Sequence, residues 1–238
     1  MENGKPKWQP IEMTEHIVCD GYDREHSTSV FSHLHTDHAW NITRAVSNAT
    51  ILLTPITLDA LQALTGLPAR SNIKPLSYNR PYHTEYEEKI ELIDANHVPG
   101  SSQILVTEKE TEYRTLYSGD FSFPGIQTPK ADCLILDPTH GEPLYDFETR
   151  RTDVLEQLFQ DVMVSIEKNQ SVEIVAHRGT MQEIMRYLQK VIDGKFIPEK
   201  VPFVCAEKEK KLTDALEKYL ETNDNPHEIQ VGTDGYLN

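Results

Sequence analysis

Three histidines and an aspartate (His33, His35, Asp37 and His38) fall within six positions of the stretch FSHLHTDHAW, directly after a short apolar run. A strand ending near Phe31 would project a tight loop from that point. His33 and His35, two residues apart, would then face one way, and Asp37 and His38 the neighbouring side. One such loop can serve two adjacent cations, and imidazole with carboxylate suits zinc, manganese or iron. The other reading is a polar loop that closes a strand and holds histidines by chance. The rest of the chain decides between them.

Two further stretches have the same form. In LIDANHVPGSSQILV, a strand-like run leads to His97, then to the small residues Pro99, Gly100, Ser101 and Ser102, then to another strand. In TLYSGDFSFPG, Asp120 follows a strand and the permissive Gly119. A lone histidine is usually a satisfied polar group and a strand-end aspartate a turn residue. Three such motifs in order, each at a strand end, favour a metal site.

The surrounding pattern is α/β. Strand-like runs occur near residues 30–31, 51–53, 90–93, 103–107, 114–117 and 133–136, and a helix is expected over about 57–64. Near residue 150 the texture changes. Val154, Leu155, Leu158, Phe159, Val162 and Ile166 recur at helical spacing, followed by a strand-like VEIVA (172–176) and helices near 181–192 and 210–221. No apolar run approaches the roughly 20 residues that span a bilayer, and the polar start MENGKPKWQP lacks a signal-peptide core, so an intracellular protein is expected. Cys19, Cys133 and Cys205 are far apart and form no CxxC pair, which speaks against a cysteine zinc site, and Cys19 and Cys133, set among strand-like residues, read as buried thiols. The net charge of -15 speaks against a generally basic nucleic-acid surface, though not against a local positive groove.

The motifs HLHTDH, ANHVPGS and YSGDF, in that order, resemble the metallo-β-lactamase superfamily. More narrowly they resemble its β-CASP nucleases of the Artemis and DNA cross-link repair exonuclease type. CDGYDREH is similar to that family's first aspartate motif, and LILDPTHGEPLY to its strand with a following Asp-Thr-Thr-Tyr. The resemblance spans about residues 20–145 and continues more weakly to about 235. It implies a metallo-β-lactamase αββα sandwich over residues 1–165 and the start of a β-CASP-like α/β insertion over 166–238.

Carried over by position, the resemblance makes His33, His35, His97 and Asp120 ligands of one metal. Asp37 and His38, with Asp120 bridging, would hold a second. Asp20 would orient the histidine loop from behind, and Asp137 would be an active-site carboxylate near the scissile phosphate. The implied catalytic residues are Asp37, Asp120 and Asp137. The implied cofactor is one or two Zn2+ ions, or Mn2+ or Mg2+, which activate water for in-line attack on phosphorus. The implied partner is DNA, single-stranded or with 5′-phosphorylated ends. The implied activity is that of a 5′-end-directed repair nuclease, nuclear in a eukaryote. A ribonuclease or small-molecule hydrolase on the same fold, or an inactive scaffold paralogue, are the alternatives.

VEIVAHRGTMQEIM resembles the strand-loop-helix that opens the β-CASP insertion. His177, Arg178 and Thr180 could receive a phosphate there beside helix-start amides, although His177 also reads as an ordinary loop histidine. Arg150 and Arg151 read as a groove lining or as a solvated helix start. Two departures stand out. The family's lysine near this turn is absent, and the chain stops at VGTDGYLN before the return into the sandwich with its last histidine motif; His227 in DNPHEI does not resemble it. A partner or C-terminal lobe completing the fold is therefore expected, with weak activity in its absence.

Overall fold

The computed structural model describes residues 9–122, 126–138, 151–194, 201–219 and 229–231. Ten strands of the N-terminal part form two five-stranded sheets. The first is ordered β1 (Ile11–Glu12), β2 (Ile17–Cys19), β3 (Thr28–Val30), β4 (Thr50–Leu53) and β5 (Ile73–Pro75). In it β2 to β5 run parallel, which requires crossover connections. One contains the short α1 (Ile42–Ala45) and the next α2 (Pro55–Thr65). Helix α2 starts where Thr54 caps it: the Thr54 hydroxyl accepts the Thr57 N–H at 3.1 Å, and Pro55 gives up no needed donor.

The second sheet is ordered β10 (Cys133–Ile135), β9 (Arg114–Tyr117), β8 (Ser102–Thr107), β7 (Lys89–Asp94) and β6 (Tyr82–His83). It is antiparallel except for the parallel β9–β10 pair. Its period-two alternation sends Ile90, Leu92, Ile104, Val106 and Tyr117 into one core with Ile17, Cys19, Val30 and Leu52 of the first sheet. Ile93, Leu105 and Leu116 cluster apart from that core. Burying one such side chain contributes about 1.5–3 kcal/mol, and this interlock holds the loops at the strand ends in place.

Two compact units divide at Thr139/His140. The division expected after residue 165 instead falls inside α3 (Arg151–Glu167). The reason is packing: Leu158, Phe159 and Ile166 of α3 share a core with Ile184, Leu188 and Val191 of α4 (Thr180–Asp193). The second unit also holds a two-stranded parallel sheet, β11 (Phe203–Cys205) with β12 (Ile229–Val231), and α5 (Glu207–Glu217). The VEIVA segment is not a strand. No described strand pairs with it, Val175 is 86% exposed, and β propensity without a ladder partner does not make a strand. No described helix is long and apolar enough to cross a membrane. Cys19 is buried and Cys133 and Cys205 half-buried, all as free thiols.

Candidate metal centre

Four ligand atoms from three loops converge in the first unit. His33 lies three residues beyond β3, His97 three beyond β7, and Asp120 three beyond β9. His33 Nε2 is 2.9 Å from His35 Nδ1, which is 3.4 Å from His97 Nε2. Asp120 Oδ2 is 3.3 Å from His97 Nε2 and 3.8 Å from His33 Nε2. Zinc bonds of about 2.0–2.1 Å at tetrahedral angles put ligand atoms roughly 3.3 Å apart. The four residues therefore fit one such ion.

A second group adjoins the first and shares Asp120. One ligand atom each from His38, Asp120 and Asp137 lies within 4.8 Å of the others. His38 Nε2 is 3.3 Å from Asp120 Oδ1, so the two carboxylate oxygens face different groups. Asp37 stands at the side of this group, with Oδ2 3.8 Å from His38 Nε2 and its side chain about half exposed. The structure thus brings Asp137 into the group where the family pattern suggests Asp37.

Local sequence explains each loop. Ser101 Oγ accepts the amides of His97 (3.1 Å) and Val98 (3.2 Å), folding the histidine turn back on itself. Gly100 sits at φ +86°, and a Cβ there would lie 2.8 Å from both Ile56 Cβ and Thr57 N; its carbonyl accepts the hydroxyls of Thr54 and Thr57. Gly119, at φ +52°, leaves the room that a Cβ 3.1 Å from Ser32 Cβ would take, so the Asp120 loop can approach the histidine loop. Ser118 Oγ accepts the Asp137 amide at 2.9 Å, tying the end of β10 to the Asp120 loop.

Behind the histidines lies Asp20, buried and at φ 50°. Its Oδ1 accepts the Ser32 amide at 2.7 Å. Its Oδ2 accepts the Ser32 hydroxyl at 2.7 Å and the Tyr117 hydroxyl at 2.9 Å, and lies 2.8 Å from His38 Nδ1. Ser32 Oγ in turn lies 3.0 Å from His33 Nδ1.

The electrostatics follow from this crowding. Burial, then the charges of His38, His35 and His97, pushes the His33 imidazole far below its ordinary value and keeps it neutral. Burial opposes charge on His38 too. Its hydrogen bonds to Asp120 and Asp20, together with their charges, outweigh burial and raise it to about 10. Asp120 is held well below the usual carboxylate range: burial is overcome by the His38 hydrogen bond and by the charges of His38, His33 and His97.

Sequence reasoning missed Ser32, Ser101, Tyr117 and Ser118. Each is one to four residues from a predicted ligand, and small or hydroxylated neighbours of a ligand were the available signal. The three residues proposed to contact substrate lie in the second unit. There Arg178 places Nε and Nη2 each 2.9 Å from Glu209 Oε1, and the Gly179 amide donates to Gln182 Oε1 at 2.8 Å. Thr180 opens α4, and the His177 carbonyl accepts the Met181 amide. A phosphate at this turn would compete with Glu209 and Gln182. Residues 139–150, including Arg150 and most of DPTHGEPLY, and His227 lie outside the described residues, as does the side chain of Arg151.

An uncharacterised protein of Acidianus ambivalens, encoded 3′ of lig, is 38% identical over 135 residues, 56% of this chain and 90% of that protein. The 5′ exonuclease Apollo of Gallus gallus is 32% identical over 120 residues, 47% of this chain and 25% of Apollo. The DNA cross-link repair protein SNM1 of Arabidopsis thaliana is 31% identical over 137 residues, 54% of this chain and 27% of SNM1. The aligned region is thus about a quarter of either functionally named relative. A crystal structure of a protein of unknown function from Enterococcus faecalis shares the fold at TM-score 0.55 and 13% identity, over 90% of this chain and 61% of that one. Residues 30–162, which include all six expected metal ligands and Asp137, match the metallo-beta-lactamase superfamily: the chain belongs to that superfamily.

Proposed function

We propose that this chain is a metal-dependent phosphodiesterase acting on DNA, a 5′-end-directed nuclease of DNA repair. The observation that carries the reading is the pair of adjoining ligand groups that share Asp120. Two cations about 4 Å apart are the arrangement that clamps both the attacking and leaving oxygens of an in-line displacement at phosphorus. The relatives named as a 5′ exonuclease and a DNA cross-link repair protein support a DNA substrate.

His33, His35, His97 and Asp120 would hold one cation. His38, Asp120 and Asp137 would hold the other, with Asp37 beside them. Zinc suits the three-histidine group best, and Mn2+ or Mg2+ suits the more carboxylate-rich one. When bound, the cations supply Lewis acidity and lower the pKa of water. The chain's own contribution is orientation. Asp20 holds the His38 ring from behind, Ser101 fixes the His97 turn, and Ser118 holds the Asp137 backbone. His177, Arg178 and Thr180 are the proposed phosphate contacts of the 166–238 region, and in a eukaryote the protein would act in the nucleus.

A second reading is hydrolysis of RNA or of a smaller phosphate ester, and the net charge of -15 favours the smaller ester, because nucleic-acid chains are bound through many cationic contacts. Turnover of 5′-phosphorylated single-stranded DNA, its 5′-hydroxyl form, RNA of the same sequence and a simple phosphodiester separates the two. Preference for the 5′-phosphorylated DNA is expected; equal turnover of the simple ester would replace this reading by the second.

A further inference from the structure

A metal site built from histidines needs each ring in the tautomer that leaves the correct nitrogen bare. Two different nitrogens face the centre here, Nε2 for His33 and His97 but Nδ1 for His35. The fold must therefore set tautomers ring by ring, and the loop sequence alone does not do it.

For His33 the setting can be traced atom by atom. Asp20 is buried among donors. The Ser32 amide takes Oδ1, while the Ser32 and Tyr117 hydroxyls and His38 Nδ1 converge on Oδ2. A hydroxyl has one proton to give. At 2.7 Å from the carboxylate, the Ser32 proton is committed to Asp20. Ser32 Oγ is then an acceptor toward His33 Nδ1, 3.0 Å away, and that contact is a hydrogen bond only if Nδ1 carries the ring proton. The neutral His33 ring therefore presents Nε2 without a proton to His35, His97 and Asp120.

We infer that Ser32 is a positioning residue that relays the Asp20 carboxylate to His33 and holds that imidazole in its Nδ1–H tautomer. It is buried, and its Oγ meets the Nδ1 side of the His33 ring, opposite the Nε2 that faces the centre. Tyr117, three residues before Asp120 in the other sheet, donates its hydroxyl to Asp20 Oδ2. The inference rests on the metal-centre reading for its consequence, but not for the tautomer itself.

The test uses the 238-residue chain. Long-range 1H–15N correlation spectra of the metal-free wild type should show His33 with a protonated Nδ1 and a bare Nε2. A protonated Nε2 in the wild type overturns the inference without any variant. Ser32→Ala keeps the amide bond to Asp20 and removes only the relay. It should shift His33 toward the other tautomer, weaken Co2+ binding by about 10–100-fold and alter the visible Co2+ spectrum. Ser32→Thr should restore the wild-type tautomer if it folds, and Tyr117→Phe should leave it unchanged. Ser32→Ala with unchanged tautomer and Co2+ affinity would also overturn the inference. If the wild type takes up no Co2+ at all, the metal-centre reading fails, while the tautomer of His33 still decides the role of Ser32.

Discussion

His38 Nε2 faces Asp120 Oδ1 at 3.3 Å while the opposite nitrogen of the same ring, Nδ1, lies 2.8 Å from Asp20 Oδ2. The imidazole is thus held between a carboxylate that faces both ligand groups and one that faces neither. This contact makes Asp120 the common member of two sites rather than a ligand of one.

Asp120→Asn is accordingly expected to strip more metal than Asp137→Asn, because Asp137 belongs to only one group. Elemental analysis after reconstitution with Zn2+ should show metal near zero for the first variant and about one ion per chain for the second. Equal retention in both would remove the shared role of Asp120. Asp137→Asn should also lower phosphodiester turnover by on the order of 100-fold or more, with the fold unchanged by circular dichroism.

Metal uptake should depend on pH with a defined sign. The folded His38 pKa of about 10 lies above the unfolded value of about 6.5. In metal-free protein its stabilising contribution is therefore complete below about pH 6.5 and disappears as pH rises through about 10. A cation at the second group must displace that proton. Affinity there should rise between about pH 7 and 9, with proton release visible by calorimetry in buffers of different ionisation enthalpy. A flat profile with no proton release would show that His38 starts neutral.

The two site glycines should differ in cost. Gly100→Ala places a Cβ 2.8 Å from the Thr57 backbone nitrogen, whereas Gly119→Ala meets a side-chain carbon at 3.1 Å. Both pay the left-handed penalty of roughly 1–2 kcal/mol, and the closer clash adds about 1–3 kcal/mol of overpacking. Urea denaturation should rank Gly100→Ala as the less stable. The reverse order would show that the turn before β8 yields more easily than the contact with α2 implies.

Burial should separate two leucine-sized deletions in the second sheet. Ile104→Ala, fully buried between the sheets, is expected to cost about 2–5 kcal/mol, and Leu134→Ala, 57% exposed, under about 1 kcal/mol. Similar losses for both would mean that Leu134 is covered in solution.

Much of the N-terminal architecture was legible because it is local. The strands read at 51–53, 90–93, 103–107 and 114–117 lie within β4, β7, β8 and β9, and the helix read at 57–64 lies within α2. β-branched alternation and a Thr-Pro helix start act over a few residues, and the fold here agrees with them. VEIVA shows the limit. Its composition is that of a strand, but a strand exists only through its neighbour, and no described segment pairs with it.

The same division runs through the site. Sequence alone determined which side chains carry ligand chemistry, and that His33, His35, Asp37 and His38 share one loop, because two-residue spacing after a strand is a local matter. Tertiary structure decided the grouping. Parallel pairing of β10 with β9 sets Asp137 beside Ser118 and so with His38 and Asp120, while Asp37 stays at the margin. It also decided what stands behind the histidines, since Tyr117 reaches Asp20 from 97 positions away in the other sheet. Hydrogen bonds between distant segments depend on how two sheets pack, and no local pattern encodes that.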